Sequence, residues 1–133
     1  MKEVFADTFY FLALLSSTDA EYEKARAITA NQSARLVTTT WVLTELANSL
    51  AKREQRDGFL KTYRALRANP VVVIVEPEPC IFEAGVELYV ARSDKDWSLT
   101  DCISFIVMEQ RNISDALTGD HHFEQAGFRT LLK

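Results

Sequence analysis

Residues 71–75 read VVVIV, five β-branched side chains in succession. Branching at Cβ restricts χ1, disfavours a helix and suits the pleated surface of a strand. An uninterrupted apolar run, as opposed to an alternating one, predicts a strand covered on both faces, the situation of strands in a parallel sheet flanked by helices. The rest of the chain reads the same way. Short strands are predicted at KEVFAD (2–7), RLVTT (35–39), DALTG (115–119) and FRTLL (128–132). Between them lie helical segments. TFYFLALLS (8–16) is apolar, and a second, charged helix opens on the capping-box spacing of Thr18 and Glu21 and runs to about Asn31. TWVLTELANSLAKRE (40–54) carries Leu43, Leu46, Ala47 and Leu50 as an apolar stripe. Gly58 is expected to interrupt before FLKTYRALRAN (59–69), which Pro70 ends. Pro79 is placed to open CIFEAGVELYVAR (80–92), and Ser98 to cap LTDCISFIVMEQRN (99–112). A short helix, DHHFEQA (120–126), closes on Gly127. Strands alternating with helices predict an α/β fold with a mostly parallel sheet covered on both faces. A chain of 133 residues fits a single domain, 1–133, able to bury a core without disulfides or metal.

Cys80 and Cys102, without CxxC spacing, read as free thiols of a reduced, cytoplasmic protein. No apolar run is long enough to span a bilayer, so no membrane partner is expected. The opening MKEVFADTFYFLALLSS holds Glu3 and Asp7 and lacks a small-residue cleavage pattern, so it is not read as a signal peptide. Nineteen acidic against fifteen basic residues give a net charge of −4. That balance excludes a nucleic-acid binder working through a basic surface alone. It leaves room for a metal-dependent nuclease, whose site concentrates carboxylates and meets phosphates through divalent ions.

Four acids stand out by position. Asp7 ends the first strand, Glu45 lies in the first turns of the helix after RLVTT, Asp101 is three residues past Ser98, and Asp120 directly follows DALTG. Such positions collect at one edge of an open α/β sheet, where ligands bind. Taken one at a time, a helix cap explains Asp7 or Asp120, the helix dipole Asp101, and a solvated helix face Glu45. Taken together they share one predicted edge. Without a cation such a cluster repels itself and raises its own pKa values. Hard divalent ions, Mg²⁺ or Mn²⁺, suit an all-oxygen donor set. Setting these four acids aside leaves 19 − 4 = 15 acidic residues against 15 basic, so the whole net charge resides in the candidate site. Thr8, Thr100 and Thr118 lie within two residues of these acids and are candidates to orient carboxylates; ordinary strand-end threonines are the equal alternative. His121 and His122 read as a surface and a packing histidine, not a zinc site. Lys52, Arg53, Arg92 and Lys95 read as solvated, and Trp41 and Trp97 as core.

The order Asp7-Thr8, TELANSL with Glu45, WSLTDCISF with Asp101 and ALTGDHHFEQAGF with Asp120 resembles the PIN-domain family, in particular its VapC-type toxin ribonucleases. The resemblance covers essentially the whole chain; its most specific part is Thr118, Asp120 and Phe123 at T-x-D-x-x-F spacing together with SLTD. It implies a three-layer α/β/α sandwich on a four- or five-stranded, mostly parallel sheet. It implies a Mg²⁺- or Mn²⁺-dependent endoribonuclease acting on single-stranded or loop RNA, a homodimer, and a cognate antitoxin over the acidic groove. By motif position Asp7, Glu45, Asp101 and Asp120 take the catalytic, metal-binding roles, with Asp7 and Asp101 the most direct ligands, and Asp96 a supporting one. Water as nucleophile would leave a 5′-phosphate and a 3′-hydroxyl. Two other classes stand beside this. A phosphoacceptor protein would need, as a haloacid-dehalogenase-type phosphatase, an acid two residues after Asp7, where Phe9 stands; as a receiver it would need an Asp ending a central strand, where VVVIVEP offers only Glu76. A non-catalytic PIN-like binding module would keep the fold and dispense with the chemistry.

Overall fold

The computed structural model describes residues 1–31 and 33–133. Five strands, β1 (Glu3–Ala6), β2 (Arg35–Thr39), β3 (Val72–Val75), β4 (Asp115–Leu117) and β5 (Arg129–Thr130), form one sheet in the order β3-β2-β1-β4-β5. Every pairing is parallel, with Phe5 opposite both Val37 and Ala116. Seven helices are present among the described residues: α1 (Thr8–Leu15), α2 (Tyr22–Asn31), α3 (Thr40–Ser49), α4 (Arg56–Ala68), α5 (Pro79–Ala91), α6 (Leu99–Gln110) and α7 (His121–Gln125). The α/β/α architecture and the five-stranded parallel sheet agree with the sequence.

The chain winds outward from β1 through β2 to β3, then returns to β1's other side to lay down β4 and β5. The direction of winding therefore reverses between β1 and β4. At such a switch point the loops leaving adjacent strand ends diverge, and a crevice opens beyond the strands' carboxyl ends. The sheet centre around it is apolar: Phe5, Ala6, Val37 and Ala116 are fully buried. Phe123 of α7 reaches the same core, its ring 5.0 Å from Phe105 and 6.3 Å from Phe5.

The VVVIV run is a strand, but at the sheet's edge. β3 pairs with β2 alone, all four of its residues are only half-buried, and Val71 is 40% exposed. Uniform hydrophobicity reports apolar faces; it carries no information on whether both backbone edges are paired. Helix boundaries also shift. α3 stops at Ser49, because after buried Leu50 residues 51–57 are all exposed and no apolar face remains to hold a helix. A short 3₁₀ turn at Arg53–Gln55 leads directly into α4, so Gly58 lies inside a helix and interrupts nothing. α2 begins at Tyr22, where Asp19 Oδ1 accepts from the Glu21 N–H at 2.8 Å; Thr18 instead bonds Ser16. The anticipated Thr18–Glu21 box is thus replaced by a turn on Asp19. Cys80 and Cys102 are both free, the first exposed and the second buried. No helix is long and apolar enough to cross a membrane among the described residues.

α5 and α6 pack against each other across Gly85. A Cβ built there would meet Ile103 Cγ1 at 2.5 Å and the Ile103 Cα at 3.3 Å. Gly85→Ala is therefore expected to cost about 1–3 kcal/mol, the range for overpacking a close contact. A urea-unfolding midpoint unchanged by the substitution would show that α5 can shift freely off α6. The consequence reaches the site, because α6 carries Asp101 in its first turn.

Candidate active site at the switch point

Each candidate acid is delivered by a different local device. Asp7 follows β1 and occupies the N-cap position of α1, yet its side chain makes no cap hydrogen bond. Its Oδ2 instead accepts from Thr118 Oγ1, just past β4, at 3.0 Å. Asp101 sits three residues past Ser98 in a complete capping box: its N–H donates to Ser98 Oγ at 3.0 Å and its Oδ2 accepts from the Ser98 N–H at 3.2 Å. Asp120 is the N-cap of α7 and accepts from the His122 N–H at 2.9 Å, while its own N–H donates to Thr118 Oγ1 at 3.0 Å. Glu45, in α3, accepts from Thr8 Oγ1 at 2.6 Å.

Capping explains part of Asp101 and Asp120 and none of Asp7. Nor does it account for their mutual placement. Asp7 is 4% exposed and Asp101 7%. Burial pushes the Asp7 carboxyl up to about 7, reinforced by the nearby carboxylates of Asp101 and Glu45 and opposed by the Thr118 hydrogen bond. Asp101 is raised as well, first by burial and then by Asp120, against the opposing hydrogen bond from Ser98 and the proximity of His122. Asp7 thus feels the charge of Glu45 and Asp101, and Asp101 that of Asp120. Among the described residues no Lys or Arg comes within ion-pair distance of any of them. The one other buried acid among the described residues, Asp115, 4% exposed, holds both Arg129 and Lys2 and is lowered accordingly. Buried carboxylates that feel one another's charge, with no Lys or Arg beside them among the described residues, are the donor type a hard divalent cation takes.

Thr8 and Thr118 each hydrogen-bond to a carboxylate of the four, Glu45 and Asp7 respectively. Thr100 is half-buried and Asp96 exposed, and neither side chain hydrogen-bonds to the four acids among the described residues. Asp94, one of three acids in the 94–101 stretch, is held by Arg92 through two bonds of 2.9 and 3.1 Å, and Arg92 covers the Trp97 ring at 5.1 Å. Trp97 is core, with its indole N–H on Gln125 at 2.9 Å; Trp41 is half-buried and stacks on Phe82. His121 is exposed, as expected. His122 corrects the packing role read for it: its Nδ1 is 3.1 Å from Asp101 Oδ2 and 3.3 Å from Asp120 Oδ1, between two acids of the cluster. The available signal was its place two residues after Asp120 at a helix start, which the absence of a third His or Cys obscured.

Comparison with known proteins places this geometry. The 23S rRNA-specific endonuclease VapC20 of Mycobacterium tuberculosis is 28% identical over 125 residues, 94% of this chain and 95% of that protein. Its crystal structure, that of a Sarcin-Ricin loop cleaving toxin, superposes with a TM-score of 0.86 at 27% identity, again over 94% and 95% of the two chains. FitAcB from Neisseria gonorrhoeae shares the fold at 17% identity, with a TM-score of 0.67 over 96% of this chain and 95% of that one. The PIN-domain family model matches residues 4–129, so from β1 to β5 the chain belongs to the PIN-domain family.

Proposed function

We propose that this protein is a divalent-metal-dependent endoribonuclease, one nuclease domain over residues 1–133, and the toxin of a toxin–antitoxin pair. What supports the reading is that buried Asp7 feels the charge of Asp101 and Glu45, and Asp101 that of Asp120, with no Lys or Arg within ion-pair distance of the four among the described residues. Asp7 and Asp101 are the most direct ligands, Glu45 and Asp120 complete the set, and Mg²⁺ or Mn²⁺ is the ion. A divalent cation held there supplies Lewis-acid polarisation of the scissile phosphate and a lowered pKa for water. The chain's own residues do the positioning. Thr118 fixes Asp7 and the Asp120 backbone at once, and Thr8 fixes Glu45, so three carboxyl-bearing segments are set by two hydroxyls. Burial of Asp7 and Asp101 keeps bulk water off the inner ligands and strengthens the site's field.

The homology to a 23S rRNA-specific endonuclease makes ribosomal RNA the first substrate to test. The toxin reading brings with it a protein antitoxin over the acidic groove and a homodimer. Cleavage is expected to vanish in excess EDTA and return with Mg²⁺ or Mn²⁺, mapped on total RNA by its 5′-phosphate ends. Undiminished RNA cleavage in EDTA overturns the metal mechanism.

A further inference from the structure

We propose that His122 supplies a nitrogen donor to the divalent-cation site beside Asp101 and Asp120, and thereby tilts the site toward Mn²⁺ over Mg²⁺. The inference rests on the metal-nuclease reading and goes beyond its carboxylate set. Two separate features of the chain aim the imidazole. Phe123, fully buried against Phe105 and Phe5, anchors α7 and fixes the rotation of the residue before it. The Asp120 cap draws the His122 N–H onto Oδ1 at 2.9 Å, folding residue 122 back over its own cap. The result is an imidazole Nδ1 3.1 Å from one carboxylate oxygen and 3.3 Å from another, on acids nineteen positions apart in sequence and on different helices.

A single ring nitrogen cannot donate linearly to both oxygens. The imidazole nitrogen instead stands between two carboxylate oxygens, 3.1 and 3.3 Å away, where one cation could take a bond from it and from both acids. The ligand-capable atoms of Asp120, His121 and His122 lie within 4.8 Å of one another, but His121 is the exposed member, its Nδ1 3.7 Å from Asp120 Oδ1. The side chain of His122 is only 20% exposed. Carboxylates alone suit Mg²⁺ and Mn²⁺ alike, whereas an imidazole discriminates, because it favours transition ions over the harder Mg²⁺.

The test is metal binding by the whole, RNA-free protein, followed by Mn²⁺ electron paramagnetic resonance with Mg²⁺ in competition. The wild type is expected to bind Mn²⁺ and to show spin-echo modulation from a directly bound ¹⁴N. His122→Ala and His122→Gln should both lose that modulation. Each should lose at least about tenfold in Mn²⁺ affinity, the scale on which even an outer partner weakens a site, with Mg²⁺ affinity nearly unchanged. His121→Ala should retain the signal. Glutamine keeps a polar group against the two acids, so a residue that merely positions them would be rescued by it; rescue, or an equal loss for both ions, overturns the proposal. So does ¹⁴N modulation surviving in both His122 variants. Failure of the wild type to bind either ion would be a different result, removing the metal-nuclease reading and this inference together. Circular dichroism of each variant separates ligand loss from misfolding, and His122→Gln carries the test if His122→Ala does not fold.

Discussion

Asp101→Asn is expected to lower RNA cleavage by about a thousandfold, the effect of losing several kcal/mol of transition-state stabilisation, while leaving the fold in place. Asparagine suits this test because Asp101 has two separable jobs. In the capping box its side-chain oxygen accepts from the Ser98 N–H, and its own N–H donates to Ser98 Oγ. An amide oxygen still accepts, so the box survives; what goes is the negative charge at the mouth of the crevice. Asp101→Ala removes both and would confound them, since loss of a cap alone costs about 1 kcal/mol. The informative measurement is a single-turnover cleavage rate beside a thermal melt. A variant that cleaves within tenfold of wild type would reduce Asp101 to a cap and remove it from the metal-binding set. The same geometry explains why both interpretations were open in the sequence. The N3 position of a capped helix wants a carboxylate, and a metal site at a strand edge wants one too. Here a single aspartate meets both requirements.

Much of the site was legible because its devices are local. Pro79 at the first position of α5, Ser98 before α6 and Asp120 before α7 are short-range signals, and each stands where its spacing places it. The four acids were expected jointly at one edge because strand ends in a parallel sheet share an edge whatever the order of the strands, and each does follow a strand or lie in the first turns of a helix. Features that depend on that order were not. VVVIV reads as a strand covered on both faces, yet β3 is an edge, since rank in the sheet is decided by where later segments dock and not by the run itself. The end of α3 left no Gly or Pro to announce it; it follows from the loss of any face to bury after Leu50. His122 escaped for a related reason. Its role depends on α7 meeting the first turn of α6, and no periodicity within either segment encodes that meeting.

Without bound cations, the protein is expected to lose stability as pH rises from 3.8 to about 7, and Asp7→Asn to abolish most of that loss. The direction follows from proton counting. In the unfolded chain Asp7 releases its proton near 3.8; in the fold, burial and the neighbouring Asp101 and Glu45 carboxylates hold it until about 7. Between these values the folded state binds more protons than the unfolded one, so stability falls with pH, then levels off above the higher value. Below 3.8 the carboxyl is protonated in both states and contributes nothing. The full shift corresponds to a ceiling on the order of 4 kcal/mol. Asp101 adds to the trend, being raised for the same reason, whereas Asp115 and Glu3 oppose it, held below the usual range by Arg129 and Arg111. The difference between wild type and Asp7→Asn, measured by urea unfolding across the window, isolates the one carboxyl, and asparagine still accepts from Thr118 Oγ1. Above pH 7 the variant should be the more stable protein. Adding Mn²⁺ should then stabilise the wild type and leave the variant behind, because an ion that binds only the folded state adds stability that grows with the logarithm of its concentration over its dissociation constant. Parallel pH curves for the two proteins would mean that Asp7 ionises without penalty in the fold, and the buried, self-repelling cluster would lose its strongest physical argument for a cation.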